Sequence, residues 1–311
     1  LPKLIQNEWM KLWSKKGTWV MAILLVAIII GFQGIAKLSE KYMDDSRWTE
    51  TLQGDLAEVE KELASPDLTE DKKVELEERK SEMESNISFS IESSQPQTRE
   101  KVITETFGIM SMVTLLTIIV ASGIVSTEFS QGTIKMLLSR PVKRWKILTS
   151  KYITVLLFCL LATTITYVSS AIGAFIFFPA SVENSFMFYG TELTTSAFLG
   201  KSLYMMFLAF INAAVISTLA FMLGTVFRST SMANGVSIFL FFTGPVIVAF
   251  LSKYEIAKYV LFANANLTQY ETGQTFFDDM TMPFSIAVLI GYVIIFLVLS
   301  LVSFTKRDVT A

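Results

Sequence analysis

The sequence has no histidine and a single cysteine, Cys159, in 311 residues. The first absence removes Ser/His/Asp and Cys/His nucleophile pairs, histidine-ligated metals and histidine proton relays. The second leaves neither an internal disulfide nor a thiolate cluster. Charge is scarce as well, at 17% of residues against about 25% in an ordinary soluble domain. Hydrophobic residues make up 52% of the chain and the mean hydropathy is +0.50. An average soluble protein is excluded.

The few charges are unevenly placed. Residues 37–104 carry 18 acidic and 10 basic side chains, a net charge of -8, which is 28 of the 54 charges in the chain. Elsewhere six windows contain no Asp, Glu, Lys or Arg: Thr18 to Ala36, Thr106 to Val125, Tyr152 to Phe178, Ser202 to Phe227, Ser229 to Ser252 and Pro283 to Thr305. Each is close to or above the roughly 20 apolar residues that a helix needs to cross bilayer hydrocarbon. The first reads as a span rather than a cleavable signal, because its apolar run is long and no small-residue cleavage site precedes Lys37.

Basic residues orient the spans. Lys3, Lys11, Lys15 and Lys16 lie before the first, and Lys135, Arg140, Lys143, Arg144, Lys146 and Lys151 lie between the second and third. These segments, Arg228, and the carboxyl-terminal Lys306 and Arg307 fall on one side, expected to be cytoplasmic. The segments 37–105, 179–201 and 253–282 fall on the other. The expected fold is an all-α integral membrane protein of six transmembrane helices, in a plasma membrane, with both termini cytoplasmic.

Three connecting segments carry patterns of their own. In residues 1–17, Leu1, Leu4, Ile5, Trp9, Leu12 and Trp13 share one helical face and Lys3, Asn7, Lys11 and Lys15 the other, which suits an interfacial elbow helix. Between spans one and two, Leu52, Leu56, Val59 and Leu63 form an apolar stripe. A second helix is expected from a capping box at Asp67 and Glu70, carrying Val74, Leu76, Met83 and Ile87. Together they predict an extracytoplasmic helical hairpin. In the 126–151 link, Glu128 to Leu138 can form a short amphipathic helix and Pro141 can start a second.

None of the six windows holds an ionisable group, which argues against ion-gradient transport and intramembrane hydrolysis, since both need such groups inside the bilayer. Uncharged polar residues such as Gln33, Thr166, Ser170, Asn212 and Asn234 read first as interhelical hydrogen-bonding groups. Ala209, Ala213 and Ser217, four apart, read as a close-packing face. The run Ser196 to Ser202 ends like a phosphate-binding loop, but Thr195 stands where that motif needs its first glycine. No nucleotide or nucleic-acid site is visible, so energy for any transport must come from another chain.

One stretch resembles a known family. Glu128, Gly132-Thr133, Leu138-Ser139-Arg140-Pro141-Val142, Arg144, Ile147-Leu148 and Lys151 are similar to the recurring link between spans two and three in permease subunits of type-2 ATP-binding-cassette exporters. Bacitracin, antimicrobial-peptide and sodium exporters belong to that family, and its order of parts extends over nearly the whole chain. The resemblance implies a non-catalytic permease that binds no cofactor, with ATP and Mg held by separate ABC ATPase subunits. It also implies a second permease chain, identical or homologous, in the same bilayer. Glu128, Phe129, Gly132, Thr133, Arg140, Pro141 and Arg144 would couple to the ATPase. Phe107, Met112, Asn212, Asn234, Phe239 and Phe242 are candidate path residues for an amphipathic substrate such as a peptide, antibiotic or lipid. The family also implies a broken or re-entrant segment before the last span, near residues 262–277. The competing readings are a six-span sensor or binding protein without transport, a passive pore, and a sodium exporter permease.

Overall fold

A computed structural model describes residues 1–42, 46–63, 70–94, 97–134, 142–181, 185–189, 191–273, 275–277 and 279–306. Six of its helices are long and apolar enough to cross a membrane: α2 (Lys16–Tyr42), α5 (Arg99–Ser130), α6 (Arg144–Phe177), α7 (Thr195–Phe227), α8 (Thr230–Leu251) and α11 (Met282–Lys306). They coincide with the six uncharged windows, most running beyond them. A short helix α1 (Pro2–Trp13) precedes the first. Helices α3 (Ser46–Leu63) and α4 (Glu70–Ser94) lie between α2 and α5 and pack on each other, with Val59 and Leu76 buried and Lys80 bridging to Glu60 at 2.7 Å. Asp67, the expected cap of the second of these, lies outside the described residues.

Helices α5 and α7 form the centre of the bundle. α5 starts at the N-cap Thr98, whose hydroxyl accepts from the Lys101 amide, with Glu100 in the first turn. At the helix interface, Gly224 of α7 approaches α5 so closely that a Cβ there would sit 2.3 Å from the Ser122 carbonyl oxygen. Absence of a side chain is what permits that approach. Ala213 and Ser217 of α7 are buried, as expected of a close-packing face. Ser122, Ser126 and Ser130 each return a hydroxyl to the carbonyl four residues earlier. The same three meet α8 or the turn before it: Ser122 donates to Asn234, Ser126 to the Thr230 hydroxyl at 3.4 Å and Ser130 to the Arg228 carbonyl at 3.2 Å. α2 is fastened to α6 by Gln33, whose amide donates to the Ser170 carbonyl at 3.0 Å. Gly173 leaves the room that this side chain occupies.

Two local details differ from the sequence reading. First, Glu128 does not open a separate amphipathic helix. Residues 128–130 are the last turn of α5, which ends at Gln131, and Gly132 follows with φ +70°. That conformation suits glycine and breaks the helix before the polar link begins. Ile134 is helical, residues 135–141, including most of the rest of the expected Glu128 to Leu138 helix and the expected start at Pro141, lie outside the described residues, and α6 begins at Arg144. Second, an unforeseen antiparallel hairpin of β1 (Ser185–Phe188) and β2 (Thr191–Thr194) lies between α6 and α7. Residues 255–272, which overlap the expected 262–277 segment, fold as a 3-10 turn (Glu255–Tyr259) and two one-turn helices, α9 (Leu261–Asn264) and α10 (Gln269–Thr272). α7 and α8 are joined by only Arg228 and Ser229, with Arg228 in the left-handed region at φ 56°.

Candidate functional site

The strongest concentration of buried charge lies where α1 meets the adjoining ends of α5 and α6. α1 turns Glu8 and Leu12, one turn apart, into the protein. α6 places Lys151 one turn beyond the buried Ile147, and its ammonium is fully enclosed. This ammonium donates to Glu8 Oε2 at 2.8 Å, to Glu128 Oε1 at 2.8 Å and to the Ile124 carbonyl at 3.4 Å. Lys11 of α1 donates to the same Glu128 oxygen. Among the described residues, Glu128 Oε2 has no hydrogen-bond partner although it is buried.

An isolated charge of this kind would be costly to bury, so each member depends on the others. Lys15, in the turn between α1 and α2, is held below its ordinary pKa by desolvation first and then by the like charges of Lys11 and Lys151. An open cleft of about 40 Å³ lies against this cluster, with Lys11, Lys15, Thr127 and Gln131 among its lining residues.

The expected coupling residues have different surroundings. Glu128 is 3% exposed and engaged inside the protein. Phe129 packs against Phe304 and beneath the Arg228 guanidinium. Arg144 donates to the Thr305 carbonyl at 3.0 Å, and Thr133 to the Glu128 carbonyl at 3.4 Å. Gly132 is exposed, with open space where a side chain would project. Arg140 and Pro141 lie outside the described residues.

The candidate path residues are also dispersed. Phe107 packs into the core, Asn234 sits in the α5–α8 seam, and Asn212 is half-buried on α7. Met112, Phe239 and Phe242 are exposed.

At the opposite end, neutral groups dominate. Asn264 donates to the carbonyls of Lys258 and Val260 and accepts from Ser285, whose hydroxyl meets that of Tyr270. Gln269 donates to the Ala263 carbonyl at 3.0 Å. Lys201 pairs with Glu271 there. The 262–277 stretch thus contains a buried amide and hydroxyl knot that ties it to the start of α11.

The family described as "Protein of unknown function (DUF2705)" matches residues 77–310. The chain belongs to the DUF2705 family. "Uncharacterized protein YhcI" of Bacillus subtilis (strain 168) is 38% identical over 312 residues, covering 98% of each chain. "Uncharacterized membrane protein YdbK" of the same organism is 35% identical over 202 residues, 62% of this chain and 76% of the relative. With six apolar helices of spanning length, the chain is a multi-pass membrane protein. The DUF2705 match takes in Glu128 and Lys151 of the charge cluster, while Glu8 and Lys11 precede it.

Sequence reasoning named Glu128 for coupling to the ATPase, placed Lys11 on the polar face of the elbow helix and Lys151 in the family-like stretch, and paired neither lysine with Glu128. The available signal was Glu8, the lone acid among the basic residues of the first segment.

Proposed function

We propose that the chain is the permease subunit of an ATP-driven type-2 exporter, powered by separate ABC ATPase subunits that hold ATP and Mg. Two permease chains, identical or homologous, form the path, with both termini and the 126–151 link at the cytoplasmic face of the plasma membrane. The observation that carries this reading is the Glu8–Lys151–Glu128–Lys11 cluster. It fastens α1 to both helices that flank the basic 131–143 link, so a push on that link moves three elements together. Buried charges break expensively and re-form in few geometries, which suits a rigid lever better than an anchor.

Within this reading the coupling roles divide. Glu128, Phe129 and Arg144 stiffen the lever from inside, while Gly132, Thr133, Arg140 and Pro141 belong to the part offered to the ATPase. The substrate class is an amphipathic peptide, antibiotic or lipid, in keeping with a path free of buried charge through the six windows.

Purification of the tagged chain from its native membrane tests the proposal. An ABC ATPase should copurify, and its hydrolysis should respond to Gly132→Trp while the protein stays in the membrane. A purified chain with no ATPase partner, in a strain where its loss changes no efflux, overturns it. In a chain lacking Cys159, a cysteine at Ser65 should label from outside the cell and one at Ser139 should not.

A further inference from the structure

The cleft beside α1 has a charge balance that the protein leaves incomplete. Lys11 and Lys15 line the cleft together with Glu8 and Glu128, and the enclosed Lys151, which lies outside the lining, pairs with both carboxylates, so three ammonium groups stand against two acids. Lys151 serves both carboxylates and Lys11 serves Glu128, so both acids are already neutralised from within. The remaining positive charge falls on Lys15, whose ammonium has no ion-pair or hydrogen-bond partner among the described residues.

Lys11 keeps 47% of its side chain exposed even while paired, leaving donors free toward the opening. Thr127 and Gln131 add neutral polar groups to the lining, and Leu12 and Ile124 make part of it apolar. At roughly 10 to 15 Å³ of such room per water, the cleft admits about three waters or one small oxyanion.

The surroundings say which oxyanion. Trp9, Trp13 and Trp19 form an edge-to-face aromatic cluster at the α1–α2 turn, with successive centroids 5.8 and 5.0 Å apart, and Trp19 is exposed. Indoles clustered at the end of a spanning helix sit at headgroup depth in a bilayer. The cleft therefore opens near lipid phosphates, beside apolar side chains that can meet the glycerol and upper acyl chain.

We propose that this cleft binds the headgroup phosphate of an anionic phospholipid, with Lys15 as its principal ligand and Lys11 as the second. The lipid supplies the negative charge that the five-residue cluster lacks, and it pins the α1–α2 turn to the membrane surface. Desolvation first, and then the like charges of Lys11 and Lys151, lower the Lys15 pKa, and an anion beside the ammonium would relieve the second of these. This inference stands apart from the permease reading, because it requires only that α1 lie at a bilayer surface.

The test uses the full chain in nanodiscs of phosphatidylcholine with one fifth phosphatidylglycerol, and counts retained lipids by native mass spectrometry. At least one phosphatidylglycerol should stay bound per chain, and rising salt should release it. Lys15→Gln removes no ion pair, so the protein should keep its unfolding temperature while losing about fivefold in phosphatidylglycerol retention. Lys15→Arg should restore it, and Lys3→Gln, which alters a residue outside the cleft, should change retention less than twofold. Equal losses in Lys15→Gln and Lys3→Gln would reduce the effect to diffuse surface charge and overturn the site. So would equal retention of phosphatidylcholine, or full displacement by millimolar inorganic phosphate, which marks a free-anion site. If Lys15→Gln unfolds, the Lys15→Arg retention and the salt release decide: loss of both overturns the proposal.

Discussion

The two ends of the bundle solve one problem with different chemistry. At the α1 end, buried polar groups are full charges: Glu8, Lys151 and Glu128 satisfy one another inside the protein. At the other, Asn264, Gln269, Ser285 and Tyr270 use neutral amides and hydroxyls, while the ion pair Lys201–Glu271 stays partly exposed. A neutral knot loses one hydrogen bond at a time. A charged one fails all at once, because removing any member strands a charge. The α1 end is therefore the all-or-none joint of the molecule, and the far end is the graded one.

Removing the central ammonium should break this contrast most sharply. Lys151→Met leaves Glu8 buried without a counterion and Glu128 with Lys11 alone, and it should cost about 3 to 5 kcal/mol. Thermal unfolding in detergent measures the loss, and proteolysis should reveal α1 released from α6. Glu128→Lys should release α1 in the same way. The triple replacement Glu8→Gln, Glu128→Gln, Lys151→Met should recover most of the lost stability. Failure to recover would mean that packing, and not charge, unites the joint.

A packing change between the two ends comes next. Gly224→Ala forces a methyl against the Ser122 backbone, where no side chain can yield, and overpacking of this kind costs about 1 to 3 kcal/mol. Gly173→Ala meets the end of the Gln33 side chain instead, and it should cost less because that group can turn aside.

At the neutral end, Asn264→Ala removes the donors to the Lys258 and Val260 carbonyls and the acceptor of the Ser285 hydroxyl, while Val260 keeps the Ala263 amide and Ser285 keeps Tyr270. A loss of about 1 to 3 kcal/mol is expected, with faster hydrogen exchange confined to residues 255–272 rather than spread across the bundle. Exchange spreading to α1 would erase the distinction between graded and all-or-none ends.

The smallest effect belongs to the exposed α3–α4 pair. Hydrogen bonding to Glu60, then its charge, raises the Lys80 pKa above the ordinary lysine value. A raised lysine pKa gives stability that is present throughout neutral pH and is lost only as pH climbs through the folded value. Lys80→Ala should therefore leave unfolding unchanged at physiological salt, and any effect at low salt should vanish in strong alkali.

The spans were legible because hydrocarbon thickness imposes a length that few soluble segments meet, and Thr106 to Val125 or Pro283 to Thr305 meets it without a charge. The expectation of two helices between the first two spans rested on the Leu52 to Leu63 stripe and the capping box at Asp67 and Glu70, and α3 and α4 lie in that segment. The role of Glu128 did not, because a carboxylate one turn beyond an apolar window looks the same in sequence whether it faces water or Lys151. Its partners lie 23 and 117 residues away, and only the crossing of α1 over two other helices brings them together. The hairpin of β1 and β2 escaped notice since four-residue strands are too short to establish an alternating pattern. The knot at Asn264 was hidden because its partners are backbone carbonyls, which every residue carries.

The turn at Arg228 and Ser229 restricts how the chain can be threaded through a bilayer. Two residues reach at most about 7 Å, far less than the roughly 30 Å of hydrocarbon, so the end of α7 and the start of α8 must share one membrane face. These helices consequently insert with opposite polarity, whichever face that is. Reporters fused after Phe227 and after Leu251 must signal opposite compartments, and a single pair of fusions orients this helical hairpin without reference to any charged residue.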